Sequence, residues 1–191
     1  RYEVTNGQYA DFLAATGAAA PADWPDGAIP ADQANHPVKG VTWAQAVAFC
    51  EWANKRLPTE AEWEVAARGA DSRLYPWGDD PRAVELPRNG TYEVGGKPTN
   101  QTPSGVFDLA GNVWEWVGEP YAPVESGQRV LRGGANGFIK DMAYRLPGDP
   151  TVPTMVATAG IRCAASQVDE SNLAKIQLAE GVLYQDTFAD P

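Results

Sequence analysis

The chain has one histidine, His36, in 191 residues. That excludes centres built from several imidazoles and any Ser-His-Asp triad not built on this residue. Cysteine is almost as scarce. Cys50 and Cys163 lie far apart and outside any CxxC pair, so they are either two buried thiols or one long-range disulfide. Positive charge is also short: 15 Lys and Arg against 25 Asp and Glu leave a net −10. A phosphate backbone would be repelled, and nucleic acid is not an expected partner. No run approaches the roughly 20 apolar residues of a membrane-spanning helix. The opening Arg1-Tyr2-Glu3-Val4 has no initiator Met and no leader pattern, as in a mature or trimmed chain, which says nothing about location.

The residues that are abundant indicate a folded, loop-rich protein. Apolar residues make up 43%, with seven Trp, and the 19 Gly and 16 Pro exceed ordinary usage, roughly 12% of a chain for the two together. Three helix starts share one pattern: Thr5-Asn6-Gly7-Gln8, Thr42-Trp43-Ala44-Gln45 and Thr59-Glu60-Ala61-Glu62. Each is a capping box, in which the Thr hydroxyl accepts from a free backbone N–H and the residue three on returns the bond. The first helix is expected to reach about Gly17 with Tyr9, Phe12 and Leu13 on one face. The second reaches about Asn54, burying Trp43, Val47, Cys50 and Trp52. The third stops at Gly69, with Trp63, Val65 and Ala66 apolar. Residues 18–40 read as an ordered surface loop. From about Asp71 to Gly160 turn clusters separate short apolar runs, of which Val113–Val117, Arg129–Leu131 and Gly160–Ala164 are the expected strands. Beyond Ala165 a short amphipathic helix over 170–183 is expected through Leu173, Ile176 and Leu178.

Several long motifs in series resemble the formylglycine-generating enzyme (sulfatase-modifying factor) family. They are His36-Pro37-Val38, Val41-Thr42-Trp43, the run Cys50-Glu51-Trp52-Ala53-Asn54-Lys55-Arg56-Leu57-Pro58-Thr59-Glu60-Ala61-Glu62-Trp63-Glu64, Tyr75-Pro76-Trp77-Gly78, Gly105 to Trp116, Arg132-Gly133-Gly134 and Gly160-Ile161-Arg162-Cys163-Ala164. The resemblance implies an α+β chain with a C-type-lectin-like fold, helices packed around small twisted antiparallel sheets with much irregular loop. It covers residues 1–165, whose N-terminus is expected to be truncated relative to the usual family domain. Residues 166–191 form a tail, expected as a docking arm or linker.

Fold alone does not assign activity. Family members that make formylglycine resemble one another after the Arg-Gly-Gly turn, where a serine precedes two copper-binding cysteines. Alignment on Arg132-Gly133-Gly134 puts Ala135 at the serine, Phe138 at the first cysteine and Ala143 at the second, with Arg145 matching the basic residue that follows. No cysteine stands between Cys50 and Cys163, and soft thiolates are what hold Cu(I), so no copper is expected. The family's sulfoxide-synthase branch needs three histidines and is excluded by the single His36, which reads as a hydrogen-bonded structural residue. The resemblance also implies a Cys50–Cys163 disulfide, and hence an extracytoplasmic location.

An oxygen-ligated ion is expected at Asp108–Glu115. The carboxylates of Asp108 and Glu115 would join the carbonyls of Gly111 and Val113, and positions 111, 113 and 115 face one way in an extended strand. Hard oxygen donors suit Ca²⁺, and the resemblance implies a structural calcium on these four positions. A second family calcium site would use Asn89 and the Gly90 carbonyl, but its downstream aspartate has no match at 95–99. Trp43, Trp52, Trp63, Trp77, Trp114 and Trp116 read as core, with Trp114 also lining a groove beside Phe138, Ala143 and Arg145. The expected role is a non-catalytic binding or structural subunit of a larger extracytoplasmic, bacterial assembly, with protein partners. One alternative is an oxidoreductase with another metal or partner domain, drawing on Tyr121, Tyr144, Arg145 and Glu119. Another is a lectin-like module that binds glycan.

Overall fold

Each threonine box starts a helix. In the computed structural model, which describes residues 1–121, 126–138 and 141–165, α1 spans Asn6–Thr16, α2 spans Trp43–Trp52 and α3 spans Glu60–Arg68. Thr5, Thr42 and Thr59 precede them in extended conformation. Each hydroxyl accepts from the N–H three residues on, and Gln8, Gln45 or Glu62 accepts in return from the threonine N–H. α1 ends at Gly17, whose φ of 68° is left-handed and whose N–H donates to the Leu13 carbonyl.

The buried faces correct the periodicity in detail. α2 buries Ala46, Phe49 and Cys50, leaves Trp43 and Val47 half-buried, and sets Trp52 at the rim, 38% exposed. α3 buries Trp63 and Ala67 and leaves Val65 67% exposed. Only a narrow stripe of α3 meets the core, and a residue two positions from Trp63 points the other way.

Strands β1 (Lys55–Arg56), β2 (Trp114–Pro120), β3 (Arg129–Arg132) and β4 (Leu146–Gly148) are followed by the short helix α4 (Pro153–Val156), then β5 (Ala159–Gly160) and β6 (Ala164–Ala165). The main sheet has the order β4-β3-β2-β5, antiparallel except for the parallel β2–β5 pair, and β1 pairs with β6 in a separate ribbon. The single strand expected over Gly160–Ala164 is therefore two. Gly160 backs so closely on its neighbours that a Cβ there would meet the Val38 carbonyl oxygen at 2.5 Å and Val113 Cγ2 at 2.7 Å. After that contact the chain leaves the main sheet, and it pairs with β1 at Ala164.

Strand alternation divides the interior into two layers. Trp114, Trp116, Leu131, Leu146 and Ala159 join Tyr9, Phe12, Phe49 and Cys50 of α1 and α2. On the opposite face Val117 and Val130 join Trp63 and Ala67 of α3, with Leu109, Ala110 and Met142. Buried indoles keep their N–H groups paired: Trp116 donates to the Val41 carbonyl at 2.9 Å, and Trp24 donates to Asn6 Oδ1 at 3.0 Å. Trp24 and Val38 thereby anchor the 18–40 loop, which also holds a short 3₁₀ turn at Pro25–Gly27. Among the described residues no helix is long and apolar enough to cross a membrane. The tail beyond Ala165, with the helix expected there, lies outside the described residues.

Two long-range ties close the structure. Cys50 of α2 and Cys163, 113 residues apart, form a disulfide with a Cα–Cα distance of 5.6 Å. Next to it in sequence, the buried Arg162 donates Nε to Glu115 Oε2 at 2.9 Å and Nη2 to Oε1 at 2.8 Å. Its remaining bonds go to the carbonyls of Arg1 at 2.7 Å and Phe107 at 2.8 Å, while Trp63 Nε1 donates to Glu115 Oε2 at 2.6 Å.

Removing the cross-link by a Cys50→Ala/Cys163→Ala double change should lower unfolding free energy by about 2–5 kcal/mol in denaturant titrations, since it frees a long loop in the unfolded chain. Thiol titration of the native chain should find no reactive group before reduction. Glu115→Gln strands a buried guanidinium and should cost about 3–5 kcal/mol, whereas Glu62→Gln, at the exposed Arg56–Glu62 pair, should cost about 1 kcal/mol or less. Comparable losses for the two variants would show that the Arg162 pair has no special weight.

Candidate functional site

The segment Asp108–Glu115 enters β2 through a tight turn in which Asp108 and Asn112 take left-handed φ values of 61° each. These conformations suit short polar side chains that bond locally. They turn Asp108 inward, where it is fully buried, with Oδ2 accepting from the Gly95 N–H at 2.6 Å. Asn112 bridges two segments: it accepts from the Tyr92 N–H at 3.0 Å and donates to Glu3 Oε2 at 2.6 Å. Asn100 lies behind Asp108. Its carbonyl accepts from the Asp108 N–H at 3.0 Å, and its side-chain amide donates to Tyr92 Oη and to the Ala110 carbonyl, both at 2.9 Å.

Three carboxylates and one guanidinium thus share one buried cluster: Glu3, Asp108, Glu115 and Arg162. Burial drives the Glu3 carboxyl well above its usual pKa, and the charges of Asp108 and Glu115 add to that rise. Burial likewise pushes Asp108 up to about 6, against the opposing pull of the Gly95 N–H and the Arg162 charge. Tyr92 is raised by burial and by the same two acidic neighbours, Asp108 and Glu3. Three buried acceptors in this cluster, Glu3 Oε1, Asp108 Oδ1 and Asn100 Oδ1, have no hydrogen-bond partner.

The structure brings Asp108 and Glu115 together, as the sequence pattern anticipates, but gives them different surroundings. Both Glu115 oxygens are taken by Arg162 and Trp63, so of the two carboxylates only Asp108 keeps an unpartnered oxygen. The Val113 carbonyl lies on the Gly133 side of the turn, 3.7 Å from where a Gly133 Cβ would stand, and Gly111 occupies the intervening bend with φ 88°. Asn89 and Gly90 are exposed in the loop before Tyr92. Among the described residues no group of three or more His, Cys, Asp and Glu side chains is arranged to hold a metal. Glu3 and Asn100 were missed by sequence reasoning. Neither carries a periodic or motif signal, and only the fold brings them to Asp108.

A second feature lies on the other face of β2. Trp114, Phe138 and Tyr144 form an aromatic triad with ring centroids 5.9–6.2 Å apart, and Phe138 is 46% exposed. Ala143 is exposed beside it, its N–H bonded to Asp141 Oδ1 at 3.0 Å. Arg145 turns away from the triad. Its Nε donates to Glu60 Oε1 at 2.5 Å and its guanidinium lies 5.0 Å from the Tyr121 ring. Glu60 also accepts from the fully buried Arg132 at 2.8 Å, and Glu119 Oε2 accepts from the Glu60 N–H at 2.7 Å. Tyr121, Arg145 and Glu119 therefore gather around Glu60 at the start of α3, while Tyr144 belongs to the aromatic triad. The His36 ring is hydrogen-bonded to Thr91 Oγ1 at 2.8 Å. A separate open hollow of about 580 Å³, lined by Trp77, Val84, Gln101 and Thr102, includes none of these residues.

The family profile described as "Sulfatase-modifying factor enzyme 1-like domain" matches residues 1–167. Mouse formylglycine-generating enzyme is 34% identical over 178 residues, covering 75% of this chain and 48% of that protein. The mouse protein named "Inactive C-alpha-formylglycine-generating enzyme 2" is 38% identical over 152 residues, covering 68% of this chain and 49% of its own length. The crystal structure of CarF superposes with a TM-score of 0.69 at 26% identity, over 88% of this chain and 85% of that one. The chain spans about half the length of these two curated relatives. Its α+β architecture, with few helices around a small curled sheet, agrees with the C-type-lectin-like fold that the motifs imply. On these matches, over nearly all of the described residues, the chain belongs to the sulfatase-modifying factor enzyme 1-like domain family.

Proposed function

We propose that this domain is a non-catalytic binding or structural module of a larger extracytoplasmic assembly. The observation that carries the reading is that the chain has two cysteines and both are joined in the disulfide between α2 and the segment after β5. Copper-dependent oxidation of a substrate cysteine calls for soft thiolate ligands, and no thiol is left to supply them. The surface beside β2 carries an aromatic triad instead. Its exposed Phe138 and the edge of Trp114 suit contact with an apolar segment of a protein partner.

Two further observations favour this reading. One of the relatives bears the name of an inactive formylglycine-generating enzyme, so the family includes members so described. A structural disulfide is favoured in an oxidising compartment, which supports the extracytoplasmic placement. Of the polar residues that an oxidoreductase reading would draw on, Tyr121, Arg145 and Glu119 are engaged around Glu60, and Tyr144 stands in the aromatic triad.

The test uses the full chain with its disulfide intact. A peptide containing the substrate-type cysteine, incubated with the protein, copper and a reductant, should emerge at unchanged mass. Conversion of the cysteine to an aldehyde at multiple turnovers would overturn the non-catalytic assignment. Native isolation should recover the domain in stoichiometric association with a larger complex; recovery as a lone monomer would overturn the assembly role.

A further inference from the structure

We infer that the hollow between Trp77 and the 98–105 loop is a binding site for a neutral saccharide, with the Trp77 indole as its stacking surface and Gln101 and Thr99 as its hydroxyl partners. The hollow includes no residue of the aromatic triad, so the inference goes beyond the non-catalytic reading and does not depend on it.

Trp77 is presented by a stiff turn. The Tyr75 N–H donates to the Gly78 carbonyl at 2.9 Å, and the Gly78 N–H donates back to Tyr75 at 3.1 Å. Pro76 is buried between them, and its ring fixes φ. The indole N–H is spent on the Asp80 carbonyl at 2.9 Å, so the ring offers the hollow a π surface and no donor. Tyr75 stacks on the same indole with centroids 5.3 Å and planes 6° apart, yet it does not line the hollow. Tyr75 therefore backs the indole, and the half-buried Trp77 keeps apolar surface open to the hollow.

The facing wall consists of two successive turns with proline in second place. Lys97-Pro98-Thr99-Asn100 is closed by the Asn100 N–H on the Lys97 carbonyl at 2.8 Å. Thr102-Pro103-Ser104-Gly105 is closed by the Gly105 N–H on the Thr102 carbonyl at 2.9 Å. Between them the fully buried Asn100 ties the loop to Tyr92 and Ala110. A wall held in this way is formed before any ligand arrives, which lowers the ordering cost of binding. Gln101 Nε2 donates to the Pro98 carbonyl at 2.7 Å, which fixes the amide and leaves Oε1 without a bond among the described residues. The exposed Thr99 hydroxyl is likewise unbonded among them. Both side chains line the hollow.

The lining selects the ligand. Among the described residues no Asp, Glu, Lys, Arg or His lines the hollow, although charged residues make up 21% of the chain. A charged ligand would find no counter-ion there, and the net −10 of the chain further disfavours an anion. A purely apolar ligand would cover the Gln101 oxygen and the Thr99 hydroxyl without pairing them, which is unfavourable. A neutral pyranose meets both conditions. Its C–H face, slightly positive, packs on the negative face of an indole, while the hydroxyls at its rim both donate and accept. The volume of about 580 Å³ lies within the roughly 300–1,000 Å³ of small-molecule sites and admits a short oligosaccharide.

The test is calorimetric titration of the full chain, disulfide intact, with soluble neutral tetrasaccharides of β-linked glucose, β-linked N-acetylglucosamine and α-linked mannose. At least one should bind at a single site with a Kd in the micromolar to millimolar range. Trp77→Ala should weaken that binding about tenfold, and Trp77→Phe, which restores an aromatic face, should recover part of the loss. Gln101→Ala, on the loop surface, should weaken it about fivefold and keep the thermal midpoint within about 2 °C of the wild type. Heat from none of the three sugars would overturn the saccharide assignment. Wild-type affinity in both Trp77→Ala and Gln101→Ala would overturn the hollow as the site. Tighter binding of the acidic tetramer of galacturonate than of every neutral sugar would overturn the choice of a neutral ligand.

Discussion

The bond between Arg162 and Glu115 is the interaction on which the rest of the structure depends. Its two residues lie 47 positions apart, on β2 and on the segment after β5. A guanidinium has five N–H donors in a fixed fork, and Arg162 makes four bonds with them, two to the Glu115 carboxylate and one each to the carbonyls of Arg1 and Phe107. One side chain thereby joins the N-terminus, the turn before β2, the strand itself and the closing segment. Trp63 completes the arrangement from α3. The pair gains specificity more than raw stability, because desolvating two ions offsets much of their attraction. In a chain with little regular secondary structure, that specificity determines which loop meets which strand.

The consequences spread through both layers. Glu115 faces α3 while its neighbours Trp114 and Trp116 face α1 and α2, so the position of Glu115 sets the side of the sheet on which each indole lies. The aromatic triad beside Phe138 and the acidic cluster behind Asp108 are thus opposite products of one strand register. Neither could shift by one residue without moving every side chain of β2 to the other face. The disulfide acts differently: it limits the unfolded chain, and it holds the α2 end of the ribbon formed by β1 and β6.

Membership of the family sets the frame within which function is read, and the site chemistry has to be argued separately. The chain's two cysteines are joined in the cross-link between α2 and the segment after β5. The acidic cluster is distinct from that cross-link. It lies in the core of the fold and bears on how this domain is held together, whatever binds at the triad.

How much was legible in the sequence depends on the range of the forces involved. Helix starts were readable because a capping box is complete within four residues, and all three threonines cap as their spacing requires. The strands at Trp114 and Arg129 were readable from apolar runs, and the disulfide was implied by the family motifs around Cys50 and Cys163. Val65 and Trp52 were misplaced because apolarity does not say how wide a stripe of a helix will meet the core. The Gly160–Ala164 run was misread as one strand because its break comes from a contact with Val38, far away in sequence. Asp108 and Glu115 were visible as candidates, yet their different partners, an N–H of Gly95 for one and the fork of Arg162 for the other, were not. By itself the sequence determined the helix starts and the family, both properties of local spacing and motif. The tertiary structure alone decided that Glu3, Asn100 and Asp108 share one buried space while Glu115 is neutralised, because charge compensation in a core depends on which groups the fold brings within a few ångströms.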